Sequence, residues 1–367
     1  MLLKRMLEQR GHEVRILTLS FTSYSHMDEK EGVYYVGSVS AERVYHFARI
    51  RSHLGISMIR LIKKWGPDIV HSQCELTSFP VAKRIARECK VPLVDTYHTV
   101  YEDYINYVIP LKKLARPTVS FLSRYRAGDI DCIVVPTRKT YDLLRSYRIK
   151  KRIEIIPSGI DLSVFRKYRD PAEFAALHRK YGIPDNDYIV AGIGRIAKEK
   201  NIEEVIEDIA SLGRSDITYL IVGDGPYRAE IEEKVRKSGI KAVFTGMIDH
   251  DELDLYYKFA DVFVSASTSE TQGLTYDEAL ASGTPCLCRA DPCIEGVIIN
   301  GVNGWQYNDR REFSEKLSLL LSDRSLLAQM SKNAAASADS FSAELFGKRV
   351  EQLYLDLIAE NRAKHVK

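Results

Sequence analysis

Two glutamates eight positions apart are the residues of this chain whose spacing most directly suggests chemistry. Glu270 precedes a turn that includes Gly273, and Glu278 follows on an apolar helical pattern. Eight residues are just over two helical turns, so the two carboxylates would flank one pocket. Bare backbone at Gly273 offers N–H groups and the positive end of the helix dipole to a phosphate. A phosphate flanked by two sugars, as in a nucleotide sugar, fits this arrangement, and an ordinary helix cap with a solvated face fits it equally.

A second candidate binding segment runs from Gly194 to Asn201, with the sequence Gly-Arg-Ile-Ala-Lys-Glu-Lys-Asn, between a predicted strand and a predicted helix. The Arg195 guanidinium can direct two N–H donors at phosphate oxygens, and the Lys200 ammonium adds a compact positive charge. Taken alone, the segment is more typical of a basic surface loop. Together with the helix start at Gly273, it favours a phosphate site.

The second half of the chain predicts the elements that would position these residues. Short apolar runs alternate with amphipathic helical patterns, which indicates a parallel sheet covered on both faces. Strands are predicted at 188–193, 218–222, 242–245, 262–265 and 284–287, and helices at 202–212, 227–238, 251–259 and 275–282. Glycine-rich turns follow the first two strands. In open α/β sheets such carboxyl-end turns bind the ligand.

The first half is also α/β, and a boundary falls near the turn at 155–159. Strands are predicted near 14–18, 69–71, 93–96 and 133–135. The expected architecture is two doubly wound, Rossmann-like domains facing a cleft. The domains are predicted at 1–157 and 158–342, with a C-terminal helix at 343–367 that crosses back to the first domain. Because the chain opens with a helix, we also expect that the first strand of the N-terminal domain is missing.

Composition limits the class of protein. The chain has 367 residues, 45% hydrophobic and 28% charged, which is typical of a soluble protein with two domains. It has no apolar run of the roughly 18 residues that span a bilayer and no signal-peptide pattern, so the cytoplasm is expected. The six cysteines include no C-x-x-C pair, and buried thiols are favoured over a metal site.

Charge is unevenly distributed along the chain. Residues 1–157 hold 27 Lys and Arg against 16 Asp and Glu, whereas residues 158–367 hold 26 against 34. Such a split indicates that the first half faces an anionic partner: a nucleic acid, an acidic substrate or a membrane surface. Attraction between the two halves across a cleft is the alternative.

Three motifs in order carry a resemblance to a known family. The Gly-Arg-x₄-Lys-Asn segment, then Val222-Gly223-Asp224-Gly225-Pro226, then Glu-x₇-Glu make the chain similar to the retaining nucleotide-sugar glycosyltransferases of the GT-B architecture, family four. The resemblance covers nearly the whole chain. It implies a UDP-sugar donor, no cofactor, no essential metal and no nucleic-acid partner.

The resemblance also implies roles for individual residues. Arg195 and Lys200 would bind the donor diphosphate, with Gly194 next to them. Glu270 and the backbone of Gly273 and Leu274 would meet the transferred sugar. Glu278 would bind the ribose hydroxyls, and the segment that contains Met247 and Ile248 would present its backbone to the base. In the first half, His98 matches the family's cleft histidine near the donor sugar. Ser158 stands where the family usually has Asn, with little expected consequence.

A narrower resemblance is to bacterial diacylglycerol glucosyltransferases. It is carried by Tyr97–Tyr104, Thr271–Thr275 and Asp291–Gly296. It implies a lipid acceptor, with Glu102 and Asp103 on the acceptor side, and a place on the inner face of the plasma membrane. The expected reaction moves glucose from a UDP-sugar to diacylglycerol or a glycosyl-diacylglycerol with retention. Two alternatives stay open: transfer to another lipid-linked or cell-surface glycan, and a non-catalytic membrane-peripheral remnant.

Basic segments with interleaved aromatic residues suit the same location. They run through residues 44–51, 59–65, 110–116 and 121–126. Such segments are typical of an anionic bilayer surface, and ordinary core-facing helices with solvated outer faces look the same in sequence. The Asp129-Ile130-Asp131 sequence resembles a metal-binding D-x-D motif. Its position between a helix and a strand favours a plain turn.

Overall fold

A computed structural model gives the fold and describes residues 1–41, 49–52, 55–74, 78–100 and 112–365. The chain forms two compact units. The first contains Met1–Ser158 together with Ala343–Lys367, and the second contains Gly159–Ser342. Each unit has its own sheets and its own hydrophobic core.

The first unit is built on a four-stranded parallel sheet of order β6-β7-β8-β9, beside a three-stranded sheet of order β1-β3-β2 and the antiparallel pair β4-β5. Its strands are β1 (Ile16–Leu19), β2 (His26–Asp28), β3 (Val33–Val36), β4 (Ser38–Ser40), β5 (Arg49–Arg51), β6 (Val70–Ser72), β7 (Leu93–Thr96), β8 (Cys132–Val135) and β9 (Arg152–Ile155). The sequence predicted β1, β6, β7 and β8 near these positions. It missed β2 to β5.

Among the described residues before the boundary, five helices accompany these sheets: α1 (Leu2–Glu8), α2 (Ile56–Trp65), α3 (Phe79–Cys89), α4 (Lys112–Ala127) and α5 (Arg138–Ser146). Helix α3 buries Phe79, Ala82 and Ala86, whose spacing of three and four residues places them on one face of the helix, in one cluster. Helix α4 differs, because it carries large apolar side chains on its exposed face. Ala127 is buried, whereas Phe121, Leu122 and Tyr125 are 61%, 55% and 72% exposed. The outer face of α4 is therefore unusually apolar.

The second unit is a single six-stranded parallel sheet. Its strands are β10 (Tyr188–Ile193), β11 (Ile217–Val222), β12 (Lys241–Gly246), β13 (Val262–Ser265), β14 (Cys286–Arg289) and β15 (Gly304–Tyr307). They lie in the order β12-β11-β10-β13-β14-β15, which is the doubly wound order with its switch point between β10 and β13. The sequence predicted the first five strands within two residues and missed β15, whose polar and glycine content hides it.

Helices cover both faces of this sheet. They are α6 (Leu162–Phe165), α7 (Pro171–Tyr181), α8 (Ile202–Ser211), α9 (Arg228–Ser238), α10 (Leu253–Phe259), α11 (Leu274–Ala281), α12 (Arg310–Ser322) and α13 (Arg324–Ser337). Strand β11 is buried along its whole length and β10 in its middle residues, as the continuous apolar runs in their sequences predict.

A long C-terminal helix, α14 (Ala343–His365), completes the first unit. Its buried residues Val350, Leu353 and Leu357 pack in one cluster with strands β7 and β8. None of the helices within the described residues is both long enough and apolar enough to span a bilayer.

Candidate active site

Two loops meet at the switch point of the second sheet. Residues 194–201 follow β10 and residues 266–273 follow β13, and these two strands are neighbours in the sheet. Because both strands are parallel, their carboxyl ends lie at the same edge. A Cβ placed on Gly194 would lie 3.9 Å from Cγ2 of Thr275, so the first loop passes beside the first turn of α11.

Glycines allow the backbones to approach closely at this edge. Gly194 has φ +145 and its N–H donates to the carbonyl of Val222 at 2.9 Å. A Cβ on Gly223 would lie 2.1 Å from the carbonyl oxygen of Gly194, and the N–H of Gly223 donates to Gly246 at 3.0 Å. No larger residue fits at Gly223 without moving the strand ends apart.

An ion pair ties the two loops together. Lys200 contacts Oε1 of Glu270, and the Ser267 hydroxyl donates to the same oxygen at 2.8 Å. Both charged side chains are half-buried. Arg195 is exposed and forms an ion pair with Glu199 in its own loop. The two cations predicted from sequence are thus at one edge of the sheet, and each already has a carboxylate partner that a ligand anion would have to replace or share.

The start of α11 is held open by Gly273. Its φ of +74 is in the left-handed region, and a Cβ there would lie 2.3 Å from the Tyr276 ring. The residue offers no side chain to cap the helix, and the first amides of an α-helix have no carbonyl four residues earlier to donate to; of these, the N–H of Tyr276 donates to the Gly273 carbonyl at 3.0 Å. Those amides and the two cations present positive charge at one edge of one sheet.

Glu278 is on the same helix and is buried. Its Oε2 accepts a hydrogen bond of 2.8 Å from the Tyr257 hydroxyl. Burial raises the pKa of Glu278, whereas the Tyr257 hydrogen bond and the charge of His250 oppose that rise. Tyr257 therefore fixes the orientation of the carboxylate through one of its two oxygens.

Met247 and Ile248 follow the end of β12, at the same edge of the sheet. Met247 is 76% exposed, while Ile248 packs against a buried cluster. This contrast leaves the backbone between them near the surface beside the turn at Gly246.

In the first unit, His98 follows β7 and belongs to a chain of polar contacts. Its Nε2 lies 2.8 Å from Oε1 of Gln73, and Nε2 of Gln73 lies 3.1 Å from Nε2 of His71. His71 in turn lies 2.7 Å from the Thr96 hydroxyl and 2.5 Å from the Tyr354 hydroxyl on α14. Burial, reinforced by His98, lowers the pKa of His71 to about 3, so His71 is neutral at physiological pH.

Comparison with known proteins decides the family. Residues 1–164 match the Glycosyltransferase Family 4 domain, and residues 173–337 match the domain described as Glycosyl transferases group 1. The chain is 34% identical to the alpha-monoglucosyldiacylglycerol synthase of Streptococcus pneumoniae, over 98% of this chain and 82% of that protein. It is 32% identical to the protein of the same name from Acholeplasma laidlawii, over 99% and 93% of the two chains.

The chain is a glycosyltransferase of family four.

Solved structures show that this glycosyltransferase has the GT-B fold. The sucrose-phosphate synthase of Thermosynechococcus elongatus superposes with a TM-score of 0.76 at 21% identity, covering 98% of this chain and 92% of that one. The Anabaena protein HepE, solved in complex with UDP-glucose, superposes with a TM-score of 0.72 at 14% identity, covering 94% and 100%. Both identities are low, so these two structures establish the fold alone.

The structure places most of the sequence-predicted site residues of the glycosyltransferase in the second unit. Gly194, Arg195, Lys200, Glu270 and Gly273 lie on the two loops at the switch point, as the strand order requires. Leu274 and Glu278 follow on α11, and Met247 and Ile248 lie after β12. His98 lies in the first unit. Glu102 and Asp103 lie outside the described residues.

Sequence reasoning missed a buried pair beside the glutamates. Nε2 of Gln272 donates to Oδ2 of Asp277 at 3.0 Å, and both side chains are buried. Asp277 looked like an ordinary acidic residue in the first turn of a helix. The signal available was the apolar content of α11, whose residues Tyr276, Ala279 and Leu280 lie around Asp277 and are buried.

The Asp129-Ile130-Asp131 sequence has structural partners. Asp129 forms an ion pair with Lys83, and Oδ2 of Asp131 accepts from the Leu93 N–H at 2.9 Å. Asp131 thereby holds the start of β7 beside β8. Within the described residues, no group of three or more His, Cys, Asp or Glu side chains is arranged to hold a metal ion.

Proposed function

We propose that this glycosyltransferase moves glucose from UDP-glucose to diacylglycerol with retention of the α configuration. The observation that carries the proposal is the loop pair at the switch point, where Lys200, Arg195 and the start of α11 bring positive charge to one place. Full-length similarity to two alpha-monoglucosyldiacylglycerol synthases supports the choice of donor sugar and acceptor. The UDP and UDP-glucose bound to HepE support a UDP-sugar donor.

In this proposal the diphosphate lies between the two loops. Arg195 and Lys200 bind its oxygens and release part of their contact with Glu199 and Glu270. The freed Glu270 carboxylate then accepts hydrogen bonds from sugar hydroxyls, beside the amides of Gly273 and Leu274. The two partners of the ion pair that ties the loops together thus contact the two halves of the donor: Lys200 the diphosphate and Glu270 the sugar.

The nucleoside extends from the diphosphate along the same edge of the sheet. Oε2 of Glu278 is occupied by Tyr257, so Oε1 is the oxygen we assign to the ribose hydroxyls. The base lies against the exposed backbone at Met247 and Ile248, next to Gly246. Tyr257 holds Glu278 in one orientation before the donor arrives, which lowers the entropic cost of binding.

The reaction itself is a same-face substitution at the anomeric carbon. The bond from that carbon to the β-phosphate oxygen breaks, and a bond to the acceptor hydroxyl oxygen forms. The departing phosphate oxygen receives the acceptor's proton. The enzyme contributes positioning and stabilises the negative charge that develops on the diphosphate, through Arg195, Lys200 and the α11 amides. His98, oriented by Gln73, shapes the reacting centre on the acceptor side.

A lipid acceptor requires contact with a membrane. We assign this contact to the outer face of α4, where Phe121, Leu122 and Tyr125 are exposed next to the cations Arg116 and Arg124. Apolar side chains between arginines suit the interface of an anionic leaflet, so we place the enzyme on the inner face of the plasma membrane.

An acceptor panel tests the function. Purified enzyme with UDP-glucose is incubated with vesicles that contain diacylglycerol, monoglucosyl-diacylglycerol or neither, with and without anionic lipid. We expect monoglucosyl-diacylglycerol from the first, in greater yield when anionic lipid is present. If the glucosylated lipid is the only productive acceptor, the enzyme catalyses a second glucosylation instead. Absence of product from both lipids contradicts the proposal.

A further inference from the structure

A cavity of about 550 Å³ lies in the second unit, away from the two loops at the switch point. Ala260 and Asp261 line it just before β13 begins, and Thr284 and Pro285 line it just before β14 begins. These residues mark the amino-terminal edge of the sheet, because both strands run the same way. The proposed donor site is at the carboxyl-terminal edge. The cavity is therefore a separate feature of the same unit.

Cations dominate the lining of this cavity. Four line it, namely Lys167, Arg169, Lys258 and Arg324, against the single acid Asp261. Asp261 is committed to the sheet, since its carboxylate accepts from the Ile189 N–H at 2.8 Å.

Two of these cations are neutralised within the protein. Arg169 donates from Nε to Oδ2 of the fully buried Asp254 at 3.0 Å and also pairs with Glu173. Nζ of Lys258 lies 3.3 Å from the same Asp254 oxygen. This group is a fixed structural cluster that forms one wall of the cavity.

Neither of the other two cations forms a direct ion pair with a carboxylate among the residues that the structure describes, and the charge of Arg324 acts on the Asp261 carboxylate only from a distance. Lys167 donates to the backbone carbonyl of Asp251 at 2.9 Å, and the guanidinium of Arg324 lies 5.4 Å from the centre of the Tyr188 ring. Both side chains are exposed. The Lys167 ammonium keeps two further N–H donors, and the Arg324 fork is open to an anion.

We propose that this cavity binds the phosphate group of a second ligand, distinct from the sugar donor. Lys167 and Arg324 contact the phosphate oxygens. The apolar side chains of Phe174 and Leu327 and the exposed Tyr168 ring line the rest of the cavity, so a phosphate ester with an organic group fits better than a bare ion. Such an ester is either a free metabolite or the head group of a lipid.

Calorimetry and vesicle binding test the site and distinguish the two sources. The whole enzyme, saturated with UDP so that the donor site is filled, is titrated with glycerol 3-phosphate. In parallel, its binding to phosphatidylcholine vesicles with and without phosphatidic acid is measured. Both assays are repeated with Lys167→Ala/Arg324→Ala and with the control Arg311→Ala/Lys332→Ala, which removes two exposed cations that do not line the cavity.

The double variant should lose about tenfold or more in affinity in one of the two assays, while the control keeps the affinity of the wild type. A loss in the titration identifies a free phosphate ester, and a loss confined to the phosphatidic acid vesicles identifies a lipid head group. Equal affinities of the wild type and the double variant in both assays, or no binding of either probe by the wild type, overturn the proposal.

Discussion

The side-chain amide of Gln272 donates a 3.0 Å hydrogen bond to Oδ2 of Asp277, and this buried pair joins the second loop of the candidate site to the first turn of α11. The thiol of Cys293 adds a 3.0 Å contact to the carbonyl of Gln272. Burial raises the pKa of Asp277 to about 8, against the opposing effect of the Gln272 hydrogen bond and with a further rise from Glu278. The loop that carries Glu270 is thus anchored by a carboxyl group that is largely protonated near neutral pH.

This pKa predicts how stability depends on pH. Between the ordinary value of 3.8 and about 8, the folded protein binds a proton at Asp277 that the unfolded chain has lost. The stabilisation is full below pH 3.8 and is lost as the pH rises through 8. Relative to Asp277→Asn, which cannot titrate, the free energy of unfolding of the wild type should fall over this range, by at most about 1.4 kcal/mol per pH unit. Urea unfolding of both proteins from pH 5 to pH 9 measures it, and parallel profiles would show that Asp277 does not titrate in this way.

Much of this fold could be predicted from sequence, because the strands of the second unit are continuous apolar runs between amphipathic helices. Their parallel order follows from those connections, and the order brings Arg195, Lys200 and Glu270 to one edge. The pairing of Lys200 with Glu270 and of Gln272 with Asp277 could not be predicted. Such contacts depend on the conformation of the loops and on which face of α11 is covered. The periodicity of apolar residues in the sequence predicts neither of these.

The first unit was harder to predict than the second. His98 was found only through a family resemblance, and its neighbours His71 and Gln73 were missed. His71 lies in the adjacent strand β6 and Gln73 follows that strand, and no local pattern marks either side chain as a neighbour of His98. Tyr354, which completes this polar chain, is 283 residues from His71, and a contact of that range has no local signal.

Arg195→Ala should collapse turnover. The guanidinium is exposed and makes its ion pair only within its own loop, so the fold does not depend on it. Loss of one group that stabilises the leaving diphosphate should lower kcat by roughly 10²- to 10³-fold. Arg236→Ala, which removes an exposed arginine on α9 with a similar partner in Glu233, is the matched control. Steady-state rates with UDP-glucose measure the effect, and an unchanged kcat would remove Arg195 from this role.

Gly273→Ala should weaken both the fold and UDP binding. An alanine there must adopt φ +74 and place its Cβ 2.3 Å from the Tyr276 ring. Gly239→Ala is the control, because Gly239 has φ +73 with nothing within 4 Å of the added Cβ. We expect the free energy of unfolding to fall by about 1 kcal/mol in the control and by about 1–3 kcal/mol more in Gly273→Ala. Chemical denaturation measures the free energy of unfolding of both variants. Equal decreases would mean that the Tyr276 ring moves away from the added Cβ at no cost in stability.

The apolar face of α4 should determine vesicle binding. Replacing Phe121, Leu122 and Tyr125 together by serine should lower the affinity for anionic vesicles by about tenfold or more, since burial of such side chains supplies much of interfacial binding. Leu319→Ser, at an exposed leucine in the second unit, should leave that affinity unchanged. Vesicle flotation measures the bound fraction. Equal flotation of the triple variant and the wild type would move the membrane contact elsewhere.

The binding of UDP to the two loops of the second unit is the claim on which the rest depends, and hydrogen exchange with and without UDP tests it most directly. We predict that UDP slows exchange in peptides that cover 194–201 and 266–281, and that Lys200→Ala weakens this protection. If UDP protects neither segment at saturating concentration, or protects only peptides elsewhere, the donor site is wrongly placed.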